Sequence, residues 1–313
     1  MQHPFTSLDR LLLLLLALAS TTPRGLGQDP PKPPGPPSFA TLVAVQNQDY
    51  AKARRTFHTK LLRQGPAPQS WKPLTPPAGI AEVEYPSGAL RLKAWVNRPA
   101  MGDKRRYPAV LFLHGGHGFD MGDWEASQPF RDAGFVVMAP ILRGENGQAG
   151  TYTMFYDEVD DVIAAAEYLR RQPYVDPDRL FVAGPSVGGT MAMLAAMTWK
   201  HFRAAASFSG SPDHVLFVKY APGAKDRVPF DPSDSRELEM RSPLAFAASF
   251  KCPVRIYYGA EEPHFDLTSH RTAEIAHEHG VDAQAVVVEG GHMSEVPRAV
   301  KMAIEFFQQI GAR

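Results

Sequence analysis

Residues 180–190, Leu-Phe-Val-Ala-Gly-Pro-Ser-Val-Gly-Gly-Thr, join a strand-like run to a helix-like run through a short glycine-rich turn. The turn matches the pattern G-x-S-x-G around Ser186, and the run Met191–Met197 follows it. Glycines two residues on either side of the serine leave room where side chains would clash, so the pattern predicts a sharp strand-to-helix turn. Such a turn exposes the Ser186 hydroxyl as a candidate nucleophile and directs the Val187 N–H to the same point. An ordinary Gly/Ser loop is the alternative.

The composition places few limits on function but excludes some partners. The chain has 313 residues and is 44% hydrophobic, enough for one large α/β domain or two small ones. Its 33 Lys and Arg side chains balance 33 Asp and Glu, so charge indicates neither a nucleic-acid partner nor an anionic membrane surface. Cys252 is the only cysteine, and no intramolecular disulfide can therefore form.

The N-terminus is typical of an export signal. A short n-region precedes the apolar run Leu11–Leu18, which is well below the roughly 20 residues of a membrane span. Ala17-Leu18-Ala19 offers an A-x-A cleavage site before Ser20, and Gly27-Gln28 is a second candidate site. We therefore expect a signal peptide at 1–27 and an exported protein, periplasmic or secreted, without a membrane span once mature. An uncleaved anchor is the alternative. Residues 28–37 are proline-dense and predict an extended linker.

The remaining chain predicts an α/β domain. Residues 38–79 have helical character to about Arg63 and are proline-rich afterwards, and the catalytic domain is expected over 80–313. Two alternating runs around Ser87 predict an antiparallel edge hairpin. Strands then alternate with helices, which predicts a mostly parallel central sheet with helices on both faces. The further strand-like runs are Tyr107–Leu113, Gly134–Leu142, Leu180–Ala183, Phe202–Ser209, Pro253–Gly259 and Ala285–Glu289.

Four loops that carry candidate catalytic residues follow strands of this sheet. Because function collects at the carboxyl ends of parallel strands, we expect them to converge on one edge. The glycines after His114 leave backbone N–H groups available to form an oxyanion hole, although a tight turn would also explain these glycines. The chain order is oxyanion loop, serine, acid and histidine, as in α/β-hydrolases. The loops are His114–Gly116, Gly184–Gly188, Glu261–Glu262 and Gly290–His292.

From about Ile80 to its end, the chain resembles an α/β-hydrolase. More narrowly, it resembles the catalytic domain of the prolyl-oligopeptidase family and its dienelactone-hydrolase-like relatives. The segments that carry the resemblance are H-G-G at His114, L-R-G-E-N-G at Leu142, Y-V-D-P-D-R-L-F-V-A-G-P-S-V-G-G at Tyr174, S-P-L-A-F at Ser242 and G-G-H at Gly290. The resemblance implies Ser186 as nucleophile, His292 as base, and Gly116 and Val187 as oxyanion N–H donors.

The acid of the predicted triad has three candidates, of which Glu262 is favoured. Glu262 stands three residues after Gly259, where the family places its acid, although Asp is usual there. It also precedes Pro263, which biases it toward extended backbone. Glu261 and Asp266 are the alternatives; Asp266 lies where a helix is expected to begin, so an N-cap is its predicted role.

The resemblance implies a serine hydrolase that cleaves a carboxylic ester or small acyl substrate through an acyl-enzyme, with no metal or cofactor. The alternatives are a serine-type peptidase of the same family acting on short peptides, and a non-catalytic binding protein of the same fold. About 80 residues before the domain are too few for the family's usual β-propeller, which favours a small ester or a short peptide. The acidic run at 157–161 could mimic a metal site, but the first turn of a helix is the predicted role. The sequence does not indicate an oligomeric state.

Overall fold

The computed structural model describes residues 42–99, 104–220 and 228–312. The predicted signal peptide, 1–27, and linker, 28–37, lie outside these ranges. Within them, no helix is both long and apolar enough to cross a bilayer. Helix α1 (Tyr50–Thr56) is shorter than expected, because Phe57 already has extended backbone, with φ −95° and ψ 139°. The helical character predicted as far as residue 63 is therefore wrong beyond Thr56.

Eight strands form one sheet, as the sequence predicts. The order across the sheet is β1-β2-β4-β3-β5-β6-β7-β8. The hairpin β1–β2 and the pair β2–β4 are antiparallel, and the other neighbours are parallel. The fold class and its antiparallel edge are thereby confirmed. The strands are β1 (Ile80–Ser87), β2 (Leu90–Asn97), β3 (Tyr107–Phe112), β4 (Val136–Pro140), β5 (Val175–Pro185), β6 (Ala204–Phe208), β7 (Val254–Gly259) and β8 (Ala283–Val288).

Helices cover both faces of the sheet and enclose a hydrophobic core on each. One core contains buried residues of α1, α4 (Glu158–Arg170), α5 (Val187–Thr198) and α8 (Pro263–Glu278). The other contains those of α2 (Met121–Ala126), α3 (Gln128–Asp132) and α9 (Val296–Gly311). In the second core, the Phe307 ring stacks on Phe181 of β5 at 4.5 Å between centroids. Each layer thus fixes the central strand that leads to Ser186.

In the described part of the segment between β6 and β7, three short helical elements pack on the first core. They are α6 (His214–Tyr220), α7 (Ser235–Glu239) and a 3₁₀ helix at Pro243–Ser249. Arg241 anchors this segment. Its guanidinium is fully buried, pairs with Glu237 at 2.6 Å and donates to the carbonyls of Thr153 and Met154. A buried charge is tolerated here because each donor group has an acceptor.

Candidate active site

Ser186 occupies the strained turn that the sequence predicts. Its backbone has φ 49° and ψ −116°, a region that non-glycine residues rarely enter. A Cβ on Gly184 would lie 2.5 Å from the Leu113 carbonyl oxygen, and one on Gly188 would collide with the same oxygen. Both glycines are required by close backbone approach between β5, α5 and the end of β3.

Pro185, whose presence the sequence does not explain, has a structural role in this turn. It is buried, and its Cγ lies 3.3 Å from the place that a Cβ on Gly115 would occupy. The pyrrolidine ring therefore packs against the loop after β3. Next to it, the Ser186 N–H donates to the Phe208 carbonyl at 2.7 Å. Contacts from the ends of both strands that neighbour β5, namely β3 and β6, therefore hold the turn at Ser186.

Three side chains from three different loops form one hydrogen-bonded row. Ser186 Oγ lies 2.9 Å from His292 Nε2, and His292 Nδ1 lies 2.6 Å from Glu262 Oε1. Glu262 follows β7 and His292 follows β8, so parallel neighbouring strands bring both to the edge where β5 ends. The structure thus brings together the predicted nucleophile, base and acid.

The two alternative acids lie elsewhere. Glu261 is exposed and lies beside Gly291, and Asp266 accepts a hydrogen bond from the Tyr258 hydroxyl at 2.5 Å. Helix α8 begins at Pro263 with Glu262 as its N-cap residue, so the predicted N-cap role of Asp266 is wrong. Asp266 belongs instead to the first turn, where its N–H donates to the Glu262 carbonyl. A proline at the first helical position explains the earlier start.

The loop after β3 is built around a buried charged histidine. His114 Nε2 lies 2.8 Å from Glu145 Oε2, and Nδ1 lies 3.1 Å from the Gly116 carbonyl oxygen. Both partners accept, so both ring nitrogens donate and the ring is an imidazolium. Burial opposes this charge, but the Glu145 carboxylate outweighs it and raises the pKa of His114 to about 9. Asp123 accepts from the Gly115 N–H at 3.0 Å and secures the loop from the other side.

Of the two predicted oxyanion donors, Gly116 lies in the loop after β3 and Val187 is the first residue of α5. The Val187 N–H donates to the Gly115 carbonyl at 3.3 Å, a long hydrogen bond. A ligand oxygen that binds to Val187 therefore competes with that carbonyl for the N–H. Gly116 is crowded by a side chain from the N-terminal segment, because a Cβ on it would collide with Gln69 Oε1.

Gln69 is a residue of the site that no sequence motif identifies. Its Oε1 accepts from the His117 N–H at 2.9 Å, and its Nε2 donates to the Gly118 carbonyl at 3.1 Å. The amide therefore holds two neighbouring residues of the loop as a strand partner would. Further along, the Ala67 N–H donates to the Gly144 carbonyl at 2.9 Å, so the same segment is fixed to the loop after β4.

A second carboxyl group lies behind the Ser186–His292–Glu262 row. Ser209, just after β6, has φ 47°, and its Oγ lies 2.5 Å from Glu262 Oε2 and 3.1 Å from Glu295 Oε1. Glu295 is fully buried. Burial raises the pKa of its carboxyl group to about 8; the Ser209 hydrogen bond opposes the rise and the nearby Glu262 charge adds to it. Sequence patterns do not show this contact, since it joins residues of three separate loops.

Aromatic rings also pack beside the loop after β3. The Tyr152 hydroxyl lies 2.9 Å from His117 Nδ1, and the Phe155 ring lies between His117 and His214, at 6.0 and 4.8 Å. Burial, together with the Arg241 charge, lowers the pKa of His214 to about 3, so this imidazole is uncharged at neutral pH. Tyr152, Phe155 and His214 are all buried, so this cluster of rings supports the loop from the protein interior.

The acidic run at 157–161 has structural roles. Glu158 accepts from the N–H groups of Thr153 and Tyr156, and Asp161 pairs with Arg143 at 2.8 Å. The run forms the start of α4, as predicted from the helix dipole. In the three described stretches of chain, no group of three or more His, Cys, Asp or Glu residues is arranged to hold a metal ion.

Comparison with known proteins relates this geometry to one family. The model of the prolyl oligopeptidase family matches residues 122–299. The uncharacterized peptidase YuxL of Bacillus subtilis (strain 168) is 28% identical over 201 residues, which are 58% of this chain and 30% of YuxL. A probable 2-oxo-3-(5-oxofuran-2-ylidene)propanoate lactonase of a Bradyrhizobium species is 28% identical over 191 residues, 58% of this chain and 68% of the lactonase.

Among solved structures, a puromycin-hydrolyzing peptidase of Mycobacterium tuberculosis superposes with a TM-score of 0.65 at 24% sequence identity. The match covers 75% of this chain and 40% of the peptidase chain. At this identity the likeness shows the fold alone. The chain spans less than half the length of both peptidases, so their activities as whole proteins are not carried over to it.

Proposed function

The chain belongs to the prolyl oligopeptidase family of serine hydrolases, and from that premise we propose that it hydrolyses small carboxylic esters through an acyl-enzyme on Ser186. The observation that carries this proposal is the hydrogen-bonded row from Ser186 Oγ through His292 to Glu262, with distances of 2.9 and 2.6 Å. A nucleophile within reach of a base, itself oriented by a third group, is the arrangement that acyl transfer requires.

The proposed reaction has two halves. Ser186 Oγ forms a bond to the acyl carbon while its proton passes to His292 Nε2; the same nitrogen then returns the proton to the leaving-group oxygen as that bond breaks. In the second half, water attacks the acyl carbon while it loses a proton to His292. The bond to Ser186 Oγ then breaks as His292 returns the proton to it, which releases the carboxylic acid and free Ser186. The Glu262 carboxylate holds the Nδ1–H and stabilises the imidazolium formed in each half.

We assign the oxyanion hole to the backbone N–H groups of Val187 and Gly116. The developing oxyanion takes the place of the Gly115 carbonyl as acceptor for Val187. That exchange is inexpensive because the existing hydrogen bond, at 3.3 Å, is long and a charged acceptor binds more strongly than a neutral one. The buried His114–Glu145 pair and the Gln69 amide keep the loop in place during the exchange.

An ester is favoured over a peptide by the chemistry of the leaving group. An alkoxide or phenolate leaves with less help from a proton donor than an amine does. The similarity to the Bradyrhizobium lactonase, whose name describes cleavage of a cyclic ester, supports the same substrate class.

The test is a comparison of kcat/KM on p-nitrophenyl esters of increasing acyl length with that on matched p-nitroanilides, including aminoacyl and X-Pro anilides. The proposal predicts higher values for the esters, and no turnover of either class by Ser186→Ala. A protein that cleaves X-Pro anilides efficiently and ignores esters would overturn the ester assignment while leaving Ser186 as the nucleophile.

A short peptide is the second candidate substrate. It is favoured by the similarity to YuxL and by the shared fold of the M. tuberculosis peptidase. The same anilide series tests it.

We further propose that a signal peptide within residues 1–27 directs export and is removed, by cleavage after Ala19 or after Gly27, on the strength of the apolar run Leu11–Leu18 and these two sites. N-terminal sequencing of the protein secreted by an expressing bacterial host tests this. An intact Met1 on protein retained in the cytoplasm would contradict it.

A further inference from the structure

We propose that Glu295 is a positioning residue that stays protonated in the working enzyme and holds Glu262 in place through the hydroxyl of Ser209. The inference rests on the triad proposed above. It adds a fourth and a fifth side chain, so that the row runs Ser186, His292, Glu262, Ser209 and Glu295.

The first argument is a count of protons. Ser209 Oγ lies within hydrogen-bond distance of Glu262 Oε2, at 2.5 Å, and of Glu295 Oε1, at 3.1 Å. A hydroxyl has one proton and donates to one of them only. If both carboxyl groups were ionised, one oxygen would face the hydroxyl lone pairs without a proton between them. A proton on Glu295 removes the conflict, because Glu295 then donates to Ser209 and Ser209 donates to Glu262.

The second argument is which carboxyl group keeps the proton. Glu262 accepts from three groups, His292 Nδ1–H, the Ser209 hydroxyl and the Gly259 N–H at 3.0 Å, and each favours its ionised form. Glu295 is fully buried, and its Oε2 has no hydrogen-bond partner within the described ranges. An ionised carboxylate is costly in that position, whereas a neutral acid is tolerated.

Among the described residues, no compensating cation faces Glu295. Ser209 approaches from the end of β6, Glu262 from the start of α8, and Tyr257 from β7. On its own helix, the nearest guanidinium, that of Arg298, pairs with Glu289 at 3.2 Å. The raised pKa of Glu295, about 8, agrees with this environment.

The backbone of Ser209 indicates that the bridge is maintained at a cost. Its φ of 47° is in the left-handed region, and its N–H is fixed to the Tyr257 carbonyl at 2.8 Å. Strained non-glycine residues of this kind cluster at functional sites. A serine kept there places its hydroxyl between the two carboxyl groups. Deprotonation of Glu295 would let Ser209 turn toward it, and Glu262 Oε2 would then keep only the Gly259 N–H.

The proton on Glu295 is tested without reference to turnover by infrared difference spectroscopy of the full-length protein during a pH titration. The wild type should show a protonated-carboxyl band that disappears as the pH rises through about 8, and Glu295→Gln should lack it. A wild type without such a band overturns the proposal. If the wild type shows the band but hydrolyses no ester, the result counts against the proposed function and still supports the proton on Glu295.

The positioning role is tested by kcat/KM on one p-nitrophenyl ester between pH 6 and 9. Glu295→Gln keeps a side chain that can donate to Ser209, so most activity at pH 7 should return relative to Glu295→Ala, and the alkaline decline of the wild type should be absent. Glu295→Ala and Ser209→Ala should each lose about 10- to 100-fold in kcat, because the hydrogen bond that holds Glu262 is lost.

Ser209→Ala keeps the test decisive if Glu295→Ala does not fold, since it removes only one oxygen. Glu261→Gln, a charge-removing change at an exposed neighbour, is the matched control and should leave the pH profile unchanged. An alkaline decline retained in Glu295→Gln, or Ser209→Ala activity within threefold of wild type, would overturn the positioning role.

Discussion

Replacing Glu262 by glutamine separates its charge and acceptor role from its size. The two oxygens of Glu262 accept from three donors, one at Oε1 (His292 Nδ1) and two at Oε2 (Ser209 Oγ and the Gly259 N–H). An amide has one acceptor atom and one donor group. If the glutamine NH₂ took the position of Oε2, it would face the fixed Gly259 N–H, a second donor. The favoured orientation therefore turns the NH₂ toward His292.

That orientation sets the magnitude of the effect. A donor facing Nδ1 forces the imidazole to carry its proton on Nε2, the nitrogen that faces Ser186 Oγ. Such a tautomer cannot accept the serine proton. The same amide substitution in a Ser-His-Asp enzyme lowers kcat by about 10⁴, and we expect a similar loss here, about 5.5 kcal/mol of transition-state stabilisation.

The assay is kcat on a single p-nitrophenyl ester, with a thermal melt to show that the fold is retained. Glu261→Gln is the control, since it changes the same charge one residue away at an exposed position. If Glu262→Gln stays within tenfold of the wild type, the assignment of the acid and the tautomer argument are both wrong. If Asp266→Asn is the crippled variant instead, the acid must be reassigned.

Three further outcomes are expected. Gln69→Ala removes two hydrogen bonds to the loop after β3 and should lower kcat/KM up to about tenfold, with Gln64→Ala, an exposed change on the same segment, as its control. Arg241→Met leaves the buried Glu237 carboxylate without its partner and should lower the free energy of unfolding by about 3–5 kcal/mol in urea titrations. His114 has a folded pKa of about 9 against an ordinary 6.5, so the stability it contributes is complete below pH 6.5 and lost as the pH rises through 9. The difference in unfolding free energy between wild type and His114→Gln should therefore shrink by about 3 kcal/mol over that interval.

The turn at Ser186 could be predicted because its sequence signal is local, although the contacts that require it are not. Gly184 and Gly188 are required by contacts with the Leu113 carbonyl, and a glycine at such a position is visible in the sequence without knowledge of the partner. The convergence of the four loops could also be predicted, since parallel strands place their carboxyl ends on one edge of the sheet. The alternation of strands and helices was sufficient for that step.

The helix boundaries and the supporting side chains could not be predicted in the same way. Helix α1 ends at Thr56 and α8 begins at Pro263, several residues from where apolar periodicity placed their ends. Gln69 and Glu295 contact the site across long separations in sequence, and neither belongs to a recognisable pattern. Their roles depend on distances of about one hydrogen bond between separate loops, which composition and spacing do not encode.

The most direct test of the account is covalent labelling of the purified protein with a fluorophosphonate probe, followed by peptide mapping by mass spectrometry. The account predicts one modified residue, Ser186, and no labelling of a Ser186→Ala variant whose thermal melt matches the wild type. Labelling that persists in the folded variant, or that maps to another serine, would contradict the assignment of the nucleophile and with it the proposed mechanism.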